Sequence, residues 1–410
     1  MSSTKAASGG KTPARVIREV QPRIINTKTD TRDILAHAMR ETKKRGLDDY
    51  FIVDVDAHHV EEDSWSEILD YLDDPVMRSY ADSCQLWDPP GSGLLPSSPG
   101  MRFQDVAGRI PHQAARRETV EDTSVHRDVT LSRRAMDSMG INNMVLFPQN
   151  LLLLGLHQQP DVEVALSFAY NRWLTEKILP QEPRLKALIY LPACSPEACI
   201  KTIEEFGDKK GVVGFSIVSV RNLSIHRNAY MPMLSMLEER GYPLCFHAAH
   251  NWGDSSMRLT DRFISMHALS FVLCNMVHLT NWLVHGLPER FPKLKPIWIE
   301  SGLAWLPFMM QRLDNEFLMR PSEAPLLKRR PSEYIKEMYF STQPIETTDM
   351  ALLESTLTAI NAETQLLYSS DWPHWDFDLP NTILDIPFLT EQAKRNILGE
   401  NARRVFNLPG

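Results

Sequence analysis

Short apolar runs rich in β-branched and aromatic residues recur along the chain, at 50–55, 142–147, 185–191, 212–217, 242–246, 295–299, 337–340 and 365–368. They are continuous rather than alternating, which is the pattern of strands buried on both faces. Segments with helical spacing of apolar positions separate them, at 128–139, 161–179, 196–206, 229–240, 261–284, 303–317 and 348–359. Ser195 ahead of Pro196 reads as an N-cap and first helical turn, while Gly140, Gly207 and Gly241 each close a helix before the next strand. Eight strand-then-helix units predict an α/β fold of the closed parallel (β/α)8, TIM-like type. The rival is a doubly wound open sheet, but no GxGxxG follows the first strand.

Outside this repeat, residues 1–48 read as an N-terminal extension with a helix at 36–45, and 49–410 as the barrel. Within it, 62–127 is an insertion after the first strand, long enough to expect a function. It carries WDPPGSGLLPSSPG at 87–100 and leaves the barrel on the face where active sites lie, so it is a candidate lid, with a solvated decoration or subunit contact as the plainer reading. A helix over 391–406 is expected to seal the barrel exterior.

Composition narrows the function classes. With 43% hydrophobic and 23% charged residues, the 410-residue chain is globular rather than disordered. A net charge of −8 and no basic stripe argue against nucleic acid. The apolar runs fall short of the roughly 20 residues that cross a bilayer, and the polar N-terminus has no apolar signal core. Cys84, Cys194, Cys199, Cys245 and Cys274 are scattered without a framework, so reduced thiols and a cytoplasmic location are expected.

In a parallel barrel the C-terminal strand ends converge on one mouth. The first strand ends DVDAHHVEE, where Asp56 and His58, two apart, share a side and Glu61 follows a short loop later. The fifth ends PLCFHAAH, with His247 at its tip and His250 beyond. The sixth ends at Glu300, and the eighth at Asp371 with His374 close behind. A lone strand-end histidine is usually structural and a lone terminal carboxylate usually a helix cap. Several carboxylates at one mouth, however, repel unless a cation or protons offset them, which favours a divalent metal.

The DVDAHHVEE start, FHAAH, ERFPKLKPIWIESGLAWLPFMMQRLD, YSSDWPHWDFD and the ending NILGENARRVFNL together resemble the amidohydrolase-related proteins of the decarboxylase type, over residues 50–408. The resemblance implies a (β/α)8 barrel holding a metal through Asp56, His58, His247 and Asp371. Two departures stand out: Asp-x-His replaces His-x-His on the first strand, and Glu300 occupies the place where decarboxylases generally carry a water-activating histidine. With Asp56, Glu61, Glu300 and Asp371 the ligand set is oxygen-rich, suiting manganese or iron as well as zinc, as one or two ions.

Three functions follow as expectations. In the first, the ion polarises a small organic acid for hydrolysis, hydration or decarboxylation, with Asp371, His250, Glu300 and His374 as catalytic candidates. In the second, Glu61 and Glu300 complete a dinuclear iron or manganese monooxygenase site served by a reductase. The third is a non-catalytic partner subunit. A homo-oligomer or hetero-oligomer is expected. Trp298, Trp305, Trp372 and Trp375 flank the mouth as core or wall, Met233, Met236, Met309 and Met310 read as packing, and Arg116, Arg117, Arg133 and Arg134 as solvated surface or an anion site.

Overall fold

In a computed structural model of the protein, residues 31–83, 120–219, 224–374 and 376–409 are described. Eight parallel strands run β1 (Val53–His59), β2 (Asn143–Pro148), β3 (Leu185–Tyr190), β4 (Val212–Val218), β5 (Leu244–His247), β6 (Pro296–Ile299), β7 (Tyr339–Ser341) and β8 (Leu366–Leu367), each hydrogen-bonded to the next in chain order. The sheet then closes on itself. Val55 N–H donates to Tyr368 O at 3.0 Å, His58 N–H to Trp372 O at 2.7 Å and Asp371 N–H to Asp56 O at 2.8 Å. This first-to-last seam makes the sheet a barrel.

The strands overlap all eight apolar runs because a strand between a filled interior and a helix layer has no solvent face to mark with polar residues. β1 extends beyond its run, through Asp56 to His59, and all seven of its residues are buried. The apolar pattern ends where the side chains turn polar, but the pairing continues to the mouth.

The outer layer comprises α1 (Thr31–Arg45), α2 (Arg127–Met139), α3 (Pro160–Trp173), α4 (Pro196–Phe206), α5 (Met231–Arg240), α6 (Phe263–Val284), α7 (Trp305–Met319) and α8 (Met350–Ala359). Ser195 Oγ accepts from Ala198 N–H at 3.2 Å at the start of α4. Gly140 and Gly241 take left-handed φ of 72° and 74° after α2 and α5. Gly207 does not: it stays helical, and a Cβ there would lie 2.8 Å from Ile203 O, so close approach explains its glycine. Residues 396–400 form a π-helical turn within the last helical segment, where Tyr368 N–H donates to Ile397 O at 2.9 Å and ties that segment to the barrel.

α1 lies within the expected extension yet packs on α2, burying Leu35 and Ala38, with Thr42 Oγ donating to Ser138 O at 3.0 Å. The described start of the insertion also lies on the wall: Trp173 Nε1–H of α3 donates to Glu67 Oε2 at 3.2 Å, and Arg172 pairs with Asp73 at 2.7 Å. The candidate lid at 87–100, with Cys84, Arg116, Arg117 and Trp375, lies outside the described residues. The other four cysteines are free thiols.

α6 is long and apolar enough to cross a membrane by length and composition, although no run in the sequence survey reached that length. His267, Ser270, Asn275 and His278 interrupt its apolar stretches. It covers the barrel wall with Met266, Phe271, Leu279, Trp282 and Leu283 buried.

Candidate metal centre

Alternation along β1 sends Asp56 and His58 into the barrel mouth and His59 the other way. His59 is held outside by Asp128 at its Nδ1 and Tyr170 at its Nε2, both at 2.9 Å. Of the adjacent histidines, only His58 therefore belongs to the centre. β5 supplies His247, the end of β6 supplies Glu300, and the turn after β8 supplies Asp371 and His374, all buried. Asp56, His58, His247 and Glu300 form one group whose ligand atoms lie within 4.8 Å of one another, and His58, Asp371 and His374 form a second. His58 is common to both.

The hydrogen-bond pattern fixes which nitrogens face inward. His58 Nδ1 lies 3.1 Å from Pro148 O and His247 Nδ1 2.6 Å from Ala248 O. A carbonyl can only accept, so each Nδ1 carries the hydrogen and each neutral ring turns its Nε2 lone pair toward the carboxylates. His247 Nε2 is 3.1 Å from Asp56 Oδ1, and His58 Nε2 is 3.3 Å from Asp56 Oδ1 and 3.2 Å from Asp371 Oδ1. His374 donates from Nε2 to the side-chain oxygen of Gln149, which leaves its Nδ1 facing Asp371 Oδ1 at 2.7 Å. Glu300 stands 3.6 Å from His247 and 3.9 Å from His374. Lone pairs directed at carboxylate oxygens are stable only with protons or a cation between them.

Asp56 Oδ2 and Asp371 Oδ2 are buried with no hydrogen-bond partner among the described residues. Two such oxygens beside inward-facing imidazoles fit a divalent ion. Asp56, His58, His247 and Asp371 are the residues that would hold it, with Glu300 and His374 at its edge.

Protons take the cation's part in the ion-free fold. Burial works against charging His58, but Asp371 and Asp56 on either side outweigh it and push the imidazole up to about 10. Burial also works to raise Asp56, yet His247 and His58 hold its carboxyl well below the usual range. Asp371 is raised to about 6 by burial despite His58, and Glu300 is raised far above the carboxylate range by burial and then by Asp371 and Asp56.

Glu300 and Asp371 are also strained. Their φ values of 59° and 57° lie in the left-handed region, which costs a side chain with a Cβ about 1–2 kcal/mol. Ser341 Oγ accepts from Glu300 N–H at 3.0 Å and Asp56 O from Asp371 N–H at 2.8 Å, so cross-strand bonds hold both residues in place.

The other expected site residues are placed apart from this cluster. Glu61 accepts from the backbone N–H groups of Gln149, Asn150 and Leu151 at 2.8, 2.7 and 2.5 Å, anchoring the turn after β2. His250 lines a small cavity beside Glu300 and His374, with Gln149, Leu152, Leu153 and Phe271. Trp298 is core, stacked on Phe246 at 4.3 Å, and Trp305 Nε1–H bonds Gly302 O at 3.0 Å. Met233, Met309 and Met310 are buried, and Arg133 pairs with Glu182 at 2.8 Å.

Two residues of the centre were not singled out from the sequence. Gln149, in contact with His374, gave no signal. Asp54 had one, as a charge within a buried strand. Its carboxylate accepts from Ser370 N–H and Oγ–H at 2.8 and 2.5 Å and from Asp56 N–H at 3.2 Å, so it clamps β1 to the turn after β8.

Comparison with known proteins agrees with this fold. The gamma-resorcylate decarboxylase of Rhizobium sp. (strain MTP-10005) is 26% identical over 326 residues, spanning 75% of this chain and 95% of that protein. The crystal structure of 2,6-dihydroxybenzoate decarboxylase from Rhizobium superposes with a TM-score of 0.61 at 21% identity, covering 88% of this chain and 100% of the other. A dihydroxybenzoic acid decarboxylase from Polaromonas sp. JS666, solved with bound manganese and the inhibitor 2-nitroresorcinol, gives 0.61 at 19% identity over 88% and 97% of the two chains. The sequence profile of the amidohydrolase family matches residues 133–408, from α2 and β2 through the segment that closes the barrel, so this chain belongs to the amidohydrolase family.

Proposed function

We propose that the protein is a metal-dependent decarboxylase of small aromatic carboxylic acids. The observation that carries this reading is the buried cluster of Asp56, His58, His247, Glu300, Asp371 and His374, whose ligand atoms form two groups joined at His58, each compact enough for an ion, at the wall of a small cavity. The relatives named above, decarboxylases of hydroxylated benzoic acids, support the same chemistry. Manganese in one of them supports a divalent ion here.

A bound divalent ion supplies a Lewis acid that neutralises and orients the substrate carboxylate. In the proposed reaction the bond between ring carbon and carboxylate breaks, carbon dioxide leaves, and the ring carbon takes up one proton. Asp371, buried beside His374 at the end of the cluster, is placed to carry that proton. Its Oδ2 has no hydrogen-bond partner among the described residues. His374 Nδ1, 2.7 Å from Asp371 Oδ1, is placed to restore the proton, with Gln149 fixing the ring. Leu152, Leu153 and Phe271 give the cavity apolar lining.

The monooxygenase reading required Glu61 as a ligand, but its carboxylate already receives three backbone N–H groups. The test is carbon dioxide release from a panel of hydroxybenzoates by manganese-loaded protein. Turnover that stops on chelation and returns with the ion is expected. Oxygen uptake with a reductant, and no carbon dioxide under nitrogen, would overturn the proposal.

A further inference from the structure

We infer that His250 is a specificity-determining residue that binds a neutral hydrogen-bonding group, a ring hydroxyl, on the substrate; this rests on the decarboxylase reading above. The cavity beside the metal centre has two kinds of wall. Leu152 and Leu153, on the 3-10 helix Leu151–Leu156, and Phe271 of α6 are apolar and suit the faces of a planar ring. Glu300 and His374 belong to the donor cluster, and Gln149 is bound to His374. Only His250 is left among the polar lining side chains. Its Nε2 is buried and makes no hydrogen bond among the described residues.

A buried nitrogen without a partner is costly, and a ligand atom that pairs with it gains what an unsubstituted analogue forfeits. Phe271 flanks the imidazole, with ring centres 6.3 Å apart, and its own ring centre lies 4.8 Å from that of His267. Burial and His267 hold His250 down at about 4, so the ring facing the cavity is uncharged at neutral pH. An uncharged imidazole offers no counter-charge to a second carboxylate. A hydroxyl both donates and accepts, so it pairs with either tautomer.

The experiment uses full-length protein loaded with manganese and measures dissociation constants by calorimetry for benzoate, 2-hydroxybenzoate, 3-hydroxybenzoate and isophthalate. In the unaltered protein at least one hydroxybenzoate is expected to bind about tenfold more tightly than benzoate, and isophthalate no more tightly than benzoate. His250→Leu should bring the hydroxybenzoate-to-benzoate ratio to within about twofold of unity, and His250→Gln, which keeps a donor and an acceptor, should retain part of it. A preference that survives in His250→Leu overturns the inference while the proposed function stands. Isophthalate binding as tightly as the best hydroxybenzoate does the same, as does loss of bound manganese in both variants. If no aromatic acid binds the loaded protein, the decarboxylase reading falls and this inference with it.

Discussion

Asp54 shows how a residue that touches no reacting atom sets the geometry of two that do. Its carboxylate gathers Asp56 N–H, Ser370 N–H and Ser370 Oγ–H, and so spaces Asp56 from Asp371. Asp54→Ala leaves those donors unpaired in the interior, a cost of about 1–3 kcal/mol in a denaturant titration. It should also weaken metal binding at least tenfold, whereas a purely structural role predicts lost stability with unchanged ion affinity. His58→Ala and Asp371→Ala remove donors themselves and should abolish metal content and activity while most of the fold remains; near-normal metal in both would refute the site. His58 also sets a pH dependence. Its folded value is raised from 6.5 to about 10, so the ion pairs around it stabilise the ion-free fold fully below about 6.5 and are lost as pH rises through about 10. The ion needs the neutral ring and has to displace that proton. Apparent metal affinity should therefore weaken roughly tenfold per unit as pH falls from about 9 to about 7, measured by competition with a chelator. The sequence made Asp56, His58, His247, Glu300, Asp371 and His374 conspicuous because polar residues at the ends of apolar runs stand out. It concealed Asp54, whose partner Ser370 is 316 positions away.

At the scale of elements, the turn after β2 shows why Glu61 reads differently in sequence and structure. A glutamate two positions beyond a strand of metal-type donors resembles one more donor. The fold instead presents it with three successive amide N–H groups at the start of a 3-10 helix. Those amides attract an anion as a helix N-terminus does. The same turn carries Gln149 to His374 and Leu152 and Leu153 to the cavity. Glu61→Ala is expected to lower stability by about 2–4 kcal/mol and impair turnover while the metal-to-chain ratio stays unchanged. Loss of metal in that variant would restore Glu61 to the ligand set. Helices and strands were legible wherever periodicity or capping marked them, as at Ser195 and Pro196. The start of α1 was not, since the side chains it buries are two apolar ones, Leu35 and Ala38, and two threonines, Thr31 and Thr42, among charged residues.

Taken whole, the molecule gathers its donors from opposite ends of the chain. The barrel was legible from eight continuous apolar runs with helices between them. The seam was not, because β8 is two residues long and most of its bonds to β1 fall beyond the apolar runs, at Asp56, His58, Asp371 and Trp372. A bound ion would bridge that seam, so it should stabilise the folded ring over the open chain. At an ion concentration about 100 times its Kd the gain is about 2.7 kcal/mol, which for a chain of this size raises Tm by roughly 3 °C in calorimetry with and without chelator. An unchanged midpoint would place the ion elsewhere.

The seam also bears on how the chain is born. Asp56 and His58 are synthesised more than three hundred residues before Asp371, which is joined through its N–H to Asp56 O. A nascent polypeptide holds only part of a chelating site over that stretch of synthesis, and firm capture of the cation waits until Asp371 has followed.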